Sequence, residues 1–195
     1  MRMHHGSSRV AKFDSVWGGF KMRKTFPFAA LALAMLVISL NASAKVGITS
    51  SAFAAGASIP SKYTCDAPNP PNPPLEFTGV PKNAKSLVLI MFDPDVPKSM
   101  IPTGVFDHWL VWDIVPDSKG IKEGENTQGL NGTGKPGYVG PCPPDREHRY
   151  FFRLYALDVK LGDAKIANRK DLEDAMKGHI VDQGEMMGRY EKIKK

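Results

Sequence analysis

The feature that most constrains the fold is a continuous apolar run, residues 86–92 (Ser-Leu-Val-Leu-Ile-Met-Phe), between the charged residues Lys85 and Asp93. A short apolar run with charged residues at both ends is typical of a strand buried on both faces. The two prolines of residues 93–97 (Asp-Pro-Asp-Val-Pro) end it, because proline cannot continue a central strand. The sequence therefore predicts a fully buried strand here.

Two further segments have strand character. Residues Phe106–Val115 are apolar on almost both faces and are ended by Pro116, and Arg149–Leu157 is a third strong strand. The intervening segments are loops by composition: residues 68–74 hold five prolines, and residues 120–140 hold seven glycines. These densities predict turns and loops in place of regular elements.

The C-terminal part changes character. Apolar residues recur at helical spacings after Asn168, a good N-cap residue; they are Leu172, Ala175, Met176, Ile180, Met187 and Tyr190. This pattern predicts one or two C-terminal helices that pack on the sheet. The fold class is therefore mainly β (α+β), a β-sandwich with C-terminal helices.

The N-terminal region has the order of a secretory signal peptide. Basic residues at 21–24 precede an apolar run at 26–40, and Ala44 ends a small-residue site. We expect Met22 to be the true start, residues 1–21 to be an upstream extension, and residues 22–44 to be removed. Residues 45–195 then form a single exported domain, periplasmic or secreted, without a membrane span.

The net charge of the whole chain is misleading. The formal charge is +6, but the first 44 residues hold six basic residues and one acidic residue. The exported part keeps 20 basic and 19 acidic residues, close to neutrality. A basic stripe with interleaved aromatic residues is absent, so the sequence predicts no nucleic-acid binding.

Both cysteines, Cys65 and Cys142, lie in the exported part. An even number of cysteines in an oxidising compartment favours a disulfide, and two buried free thiols are the alternative. A cysteine nucleophile at Cys142 near His148 is disfavoured by the flanking prolines and by the expected disulfide.

Polar residues stand at three strand ends: Asp93 and Asp95, then Asp107 and His108, then His148 and Tyr150. If the three strands are neighbours, these side chains converge at one edge. Imidazole N–H groups oriented by carboxylates, with a backbone N–H near Gly140, are suited to a phosphate, sulfate or carboxylate group. No ligand spacing typical of a metal site, no serine elbow and no phosphate-binding loop accompany them, so we predict no cofactor and no metal.

Several motifs resemble the phosphatidylethanolamine-binding protein family, and in particular its bacterial branch of YbhB/YbcL-type Raf-kinase-inhibitor-like proteins. They are Asp93-Pro-Asp-Val-Pro97, Asp107-His-Trp-Leu-Val-Trp112, Gly140-Pro-Cys-Pro-Pro144 and His148-Arg-Tyr150. The resemblance covers nearly all of residues 45–195. It implies two antiparallel sheets with C-terminal helices and a small pocket for anions such as phosphate head groups.

Transferred by motif, the resemblance assigns the pocket to seven ligand-binding residues: Asp93, Asp95, His108, Gly140, Pro141, His148 and Tyr150. Val139 stands where the family often has glycine, and this difference is expected to narrow the pocket mouth. None of the seven is assigned a catalytic role.

The predicted function is that of an exported, non-enzymatic protein that binds a small anionic ligand. Two alternatives stay open. One is an inhibitor or modulator of a protein partner, such as a protease or a signalling protein. The other is a hydrolase in which His108 and His148 act as acid and base. A homodimer is also compatible with the sequence.

Overall fold

The computed structural model describes residues 45–125 and 129–193, so the predicted upstream extension and signal peptide lie outside the described residues. The strands are β1 (Gly47–Thr49), β2 (Leu75–Thr78), β3 (Ser86–Asp93), β4 (Phe106–Ile114), β5 (Gly120–Ile121), β6 (His148–Leu157) and β7 (Ile180–Tyr190). Within these ranges one α-helix forms, α1 (Arg169–Met176), and a 3₁₀ turn covers Ser61–Tyr63. The three strongest predicted strands are thereby confirmed as β3, β4 and β6.

The strands form two antiparallel sheets. The smaller sheet has the order β1-β2-β5, and the larger has the order β4-β3-β6-β7. Side chains of both sheets meet in one apolar core, in which Ile48, Leu75 and Phe77 of the small sheet pack with Leu89 and Phe152 of the large one. The predicted sandwich of two antiparallel sheets is confirmed.

Strand β3 is buried along its whole length because both of its faces are covered. Leu87, Leu89 and Met91 point into the core between the sheets. Val88 and Ile90 belong to a second apolar cluster on the outer face, which α1 covers. The continuous apolar run follows directly from this position, since alternate side chains of a strand point to opposite faces.

Helix α1 begins where the sequence predicts. The Asn168 side-chain Oδ1 accepts a hydrogen bond from the Asp171 N–H at 3.0 Å, which satisfies one of the free amides of the first turn. Leu172 and Met176, one turn apart, are fully buried against the outer face of the large sheet. The amphipathic spacing of residues 172–176 is therefore correctly predicted as helical.

The prediction of helix beyond residue 178 is wrong. Residues Ile180–Tyr190 form the eleven-residue strand β7, which pairs with β6 along its length. Its glycines serve close packing: a Cβ on Gly184 would lie 2.2 Å from the Val46 carbonyl oxygen, and one on Gly188 would lie 2.7 Å from Phe53. The helical spacing of the apolar residues was coincidental, because long-range pairing with β6 overrides local propensity.

Two smaller findings complete the fold. The glycine-rich segment 120–140 is less irregular than predicted, since it begins with β5 and Leu130 makes isolated bridges to Leu110 and Pro136. In the described part of the chain, no helix has both the length and the apolar character needed to span a bilayer.

Candidate functional site

The antiparallel register of the large sheet brings the three polar strand ends together. Phe92, near the end of β3, lies opposite Asp107 at the start of β4 and opposite Phe151 near the start of β6. Asp93, His108 and His148 consequently stand at one edge of the sheet. The predicted convergence holds because β3 is the central neighbour of both other strands.

His148 lies between two carboxylates. Its Nδ1 is 2.7 Å from Asp93 Oδ2, and its Nε2 is 2.8 Å from Asp145 Oδ1. The imidazole is fully buried and Asp93 almost so, whereas the Asp145 side chain is 42% exposed. Because a carboxylate only accepts, both ring nitrogens donate, which is the hydrogen-bonding pattern of an imidazolium.

The charges of this group depend on one another. Burial alone would lower the pKa of His148, but the hydrogen bonds to Asp93 and Asp145 outweigh it and raise that pKa above its ordinary value. Burial raises the pKa of Asp93, and the His148 hydrogen bond opposes that rise. The pKa of Asp145 is lowered by its hydrogen bond from His148. His148 therefore supplies positive charge that compensates the buried Asp93 carboxylate.

His108 is held differently. Its Nδ1 donates to the Val139 carbonyl oxygen at 2.7 Å, since that oxygen can only accept. Its ring contacts Phe106 and Tyr150 edge-on, with centroid distances of 4.9 and 5.2 Å. Burial lowers the pKa of His108 to about 4, so the ring is neutral near neutral pH.

Tyr150 carries an unsatisfied group. Its side chain is fully buried, and its hydroxyl has no hydrogen-bond partner among the described residues. Burial, followed by the nearby Asp93 charge, raises the pKa of this phenol, so it remains a potential donor. Leaving a buried hydroxyl unpaired costs about 1–3 kcal/mol, so its presence needs an explanation.

Asp95 is directed elsewhere. Its Oδ1 accepts from Arg149 Nη2 at 2.7 Å, and its Oδ2 accepts from Arg149 Nε at 2.8 Å and from the Arg149 backbone N–H at 3.0 Å. The guanidinium lowers the pKa of Asp95 to about 2. Its backbone N–H donates to Asp93 Oδ1 at 2.8 Å, so Asp95 positions Asp93.

A cavity of about 270 Å³ opens beside these residues. Of the seven predicted site residues, it is lined by Asp93, His108 and Gly140. Most of the remaining wall is apolar and consists of Val96, Met100, Ile101, Phe106, Val139 and Pro144. His148 and Tyr150 stand behind this wall, where they hold Asp93 and contact His108.

The loop that carries Gly140 is packed tightly against the segment after the 3₁₀ turn. A Cβ on Gly140 would lie 2.7 Å from the Tyr63 carbonyl oxygen and 3.0 Å from Thr64 Cα. The buried Pro141 does not line the cavity, and its carbonyl oxygen accepts a hydrogen bond from the Cys65 N–H at 3.0 Å. Cys65 and Cys142 form a disulfide. The expected disulfide is therefore present and joins the cavity wall to residue 65.

Some residues of this region gave no signal in the sequence. Asp145 lies in a polar loop where an acidic residue is ordinary, and the apolar rim residues Met100 and Ile101 belong to no motif. Asp145 borders a second cavity of about 460 Å³, and Pro144 lines both cavities. Across the described ranges, no group of three or more histidine, cysteine or acidic side chains is arranged to hold a metal ion.

Comparisons with known proteins are consistent with this architecture. The family model described as phosphatidylethanolamine-binding protein matches residues 49–191. A UPF0098 protein of Chlamydia pneumoniae is 49% identical over 148 residues, which cover 74% of this chain and 98% of that protein. A UPF0098 protein of Methanothermobacter thermautotrophicus is 45% identical over 141 residues, 68% of this chain and 89% of that protein.

Two solved structures are similar. The crystal structure of the phosphatidylethanolamine-binding protein homologue CT736 of Chlamydia trachomatis matches with a TM-score of 0.72 and 46% identity; 77% of this chain and 100% of that chain are covered. Escherichia coli YbcL matches with a TM-score of 0.64 over the same shares, and at 23% identity it shows the fold alone. The chain therefore belongs to the phosphatidylethanolamine-binding protein family.

Proposed function

We propose that this protein is a non-catalytic binding protein that holds the anionic group of a small ligand in the cavity lined by Asp93, His108 and Gly140. The observation that carries the proposal is the buried hydroxyl of Tyr150, which has no hydrogen-bond partner in the described part of the chain and whose ring contacts the His108 ring on the cavity wall. Tyr150 does not line the cavity, so a ligand oxygen would satisfy this hydroxyl only if binding moved the wall in front of it.

The electrostatics support the same proposal. The imidazolium of His148 compensates Asp93, and Arg149 compensates Asp95, so neither carboxylate presents an uncompensated charge to the cavity. An anion entering the cavity therefore meets little net repulsion. The apolar rim lowers the local dielectric constant, which strengthens each hydrogen bond to the ligand.

The arrangement of His148 supports a binding role over an acid–base role. Both of its ring nitrogens already donate to carboxylates. A residue that shuttles protons must instead present one nitrogen to the reacting group within hydrogen-bond distance. The predicted hydrolase would have to break one of these two hydrogen bonds before His148 took part.

The export of the protein remains part of the proposal. Both cysteines of the disulfide are exposed to solvent. Solvent-exposed disulfides persist in oxidising compartments and are reduced in the cytosol. This supports a periplasmic or secreted location, which fractionation of cells that express the full chain would test.

The proposal is tested by titrating the protein with inorganic phosphate while recording NMR spectra of the histidine rings. We expect saturable shifts of the His108 ring signals, because that ring lines the cavity. His179, which is half-exposed and pairs with Asp158 at 2.9 Å, is the internal control and should not shift. If the His108 signals do not move with phosphate, phosphoethanolamine or nucleotides, the proposal is wrong.

A Tyr150→Phe variant separates binding from stability. Removing this hydroxyl should leave the free energy of unfolding unchanged or raise it by about 1 kcal/mol. The reason is that a buried polar group without a partner destabilises the folded protein, and the variant no longer has it. Phosphate affinity should fall about tenfold, since a hydrogen bond to a charged ligand contributes about 1.5–3 kcal/mol. Calorimetric titration and urea unfolding measure the two effects.

The matched control for that variant is Tyr190→Phe, because the Tyr190 hydroxyl donates to Asp66. This variant should lose stability by about 1 kcal/mol and keep its phosphate affinity. If Tyr150→Phe instead loses stability and binds phosphate normally, the Tyr150 hydroxyl has no role in ligand binding.

A further inference from the structure

The Cys65–Cys142 disulfide lies between the two cavities of this region. Cys142 lines the first cavity, which also holds Asp93 and His108, and Cys65 lines the second cavity, of about 460 Å³. Both cysteines are exposed to solvent. Exposed disulfides are more easily reduced than buried ones and are often the regulatory ones. The position of this bond therefore suits it to chemical exchange as well as to stabilising the fold.

The two sulfur atoms differ in how a thiol reaches them. In thiol–disulfide exchange a thiolate attacks one sulfur along the S–S axis, and the other sulfur leaves as a thiolate. A thiolate in the second cavity meets Cys65 first, and Cys142 is then the leaving group on the side of the first cavity. A volume of about 460 Å³ lies within the roughly 300–1,000 Å³ of small-molecule sites, so a low-molecular-weight thiol fits.

The charges around the second cavity are compatible with an attacking thiolate. Its wall holds two cations, Arg146 and Lys192, and three acids, Asp66, Asp145 and Glu191. Two of the acids are engaged, since Asp145 pairs with Arg146 at 2.8 Å and Asp66 accepts two hydrogen bonds. Cations near a thiol favour its thiolate form, and Lys192 supplies such a charge at this wall.

We propose that the folded protein undergoes thiol–disulfide exchange at this bond, with a low-molecular-weight thiol attacking Cys65 Sγ from the second cavity. The thiolate sulfur forms a bond to Cys65 Sγ as the Cys65–Cys142 bond breaks. The electron pair of the broken bond leaves with Cys142 Sγ, which takes up a proton from solvent. A second thiol molecule then resolves the mixed disulfide on Cys65, so two thiols are oxidised to one disulfide and both cysteines are reduced.

The exchange changes the wall of the first cavity. Cys142 follows Val139 by three residues, and the Val139 carbonyl oxygen accepts from His108 Nδ1 at 2.7 Å. Besides the disulfide, two hydrogen bonds of 3.0 and 2.7 Å join residues 138–142 to residues 63–65. Reduction therefore loosens this part of the wall without releasing it. This consequence does not depend on which ligand the first cavity binds.

The experiment exposes the native, oxidised protein to 2-mercaptoethanol, traps free thiols with N-ethylmaleimide and locates both adducts by peptide mass spectrometry. We expect the mercaptoethanol adduct on Cys65 and the maleimide on Cys142. The initial rate should be proportional to the thiol concentration and should not change in urea too dilute to unfold the protein. No reaction without urea, or a rate that rises steeply with urea, means that only the unfolded chain reacts, and this overturns the proposal. A first mercaptoethanol adduct on Cys142 overturns the attack from the second cavity.

A pair of tryptophan variants tests the route of the thiol. Ile193 lines the second cavity and is 56% exposed, and Met100 lines the first cavity and is 63% exposed. Ile193→Trp should slow the exchange several-fold, because the larger side chain narrows the access to Cys65. Met100→Trp is the matched control and should react at the wild-type rate. Equal rates in the two variants contradict entry through the second cavity.

The effect on the first cavity is measured by NMR of the His108 ring, without ligand, before and after reduction by a dithiol. We expect the His108 signals to shift, because the Val139 carbonyl oxygen belongs to the loosened segment. The signals of His179, which pairs with Asp158, should stay in place. Unchanged His108 signals in the reduced protein, or unfolding on reduction, overturn this effect, and the rate measurement on the oxidised protein still decides whether the exchange occurs.

Discussion

Replacing His148 with alanine is expected to lower the free energy of unfolding by about 3–5 kcal/mol, the usual cost of removing one partner of a buried ion pair. His148 is fully buried between Asp93 and Asp145, and Asp93 is almost as buried. Without the imidazole, the Asp93 carboxylate is left in the interior without its compensating charge. Urea unfolding of the wild type and the variant measures the difference.

The difference should depend on pH in a defined direction. The folded pKa of His148 is raised above 6.5, so its contribution is fully present below 6.5 and is lost as the pH rises through the raised value. The pKa of Asp93 is also raised, so towards acid pH the carboxylate is protonated and its burial costs less. The loss in His148→Ala should therefore be largest in the mildly acidic range and smaller on either side.

The matched control is His179→Ala. His179 also contacts an aspartate, Asp158, at 2.9 Å, but both side chains are nearly half exposed. Exposed ion pairs contribute about 0–1 kcal/mol, so this variant should unfold almost as the wild type does. If the two alanine variants lose the same stability, the buried pair contributes no more than a surface contact.

Converting Cys65 and Cys142 to serine should lower the free energy of unfolding by about 4 kcal/mol on the loop-entropy model. The disulfide joins residues that are 77 positions apart, so its loss frees a long loop in the unfolded chain. It also releases the cavity wall next to Gly140 from residue 65. The double serine variant and the wild type are compared by urea unfolding without reductant.

The control for the disulfide is the wild type treated with a dithiol. The chain has two cysteines, and both are in this disulfide. A reductant can therefore break this bond and no other disulfide. The reduced wild type should unfold at the same urea concentration as the untreated double variant. If the double serine variant is as stable as the oxidised wild type, the disulfide does not contribute to the free energy of unfolding.

The strands of the core could be predicted from local sequence for two reasons. A strand buried on both faces, such as β3, is a continuous apolar run. Prolines mark the positions where the strands end. The N-terminus of α1 was predictable for an equally local reason, since Asn168 caps it through its own side chain. The possible disulfide was limited to one pair because the chain has two cysteines.

Strand β7 could not be predicted in the same way. Its apolar residues fit a helix as well as a strand, and the deciding partners are β6 and the segment at residues 46–59 that packs over its glycines. Pairing between strands that are distant in sequence cannot be read from the spacing of apolar residues within one segment. The same is true of Asp145, whose contact with His148 depends on how the loop folds back.

The sequence alone determined which residues form the buried strands and which polar side chains stand at their ends, because solvent exclusion and proline act on local segments. Only the tertiary structure decided what those side chains do. The register placed Asp93, His108 and His148 at one edge, turned Asp95 towards Arg149, and left the Tyr150 hydroxyl without a hydrogen-bond partner among residues 45–125 and 129–193. It also made His148 a donor at both nitrogens and His108 a donor through Nδ1 to Val139, because these roles depend on neighbours that are distant in sequence.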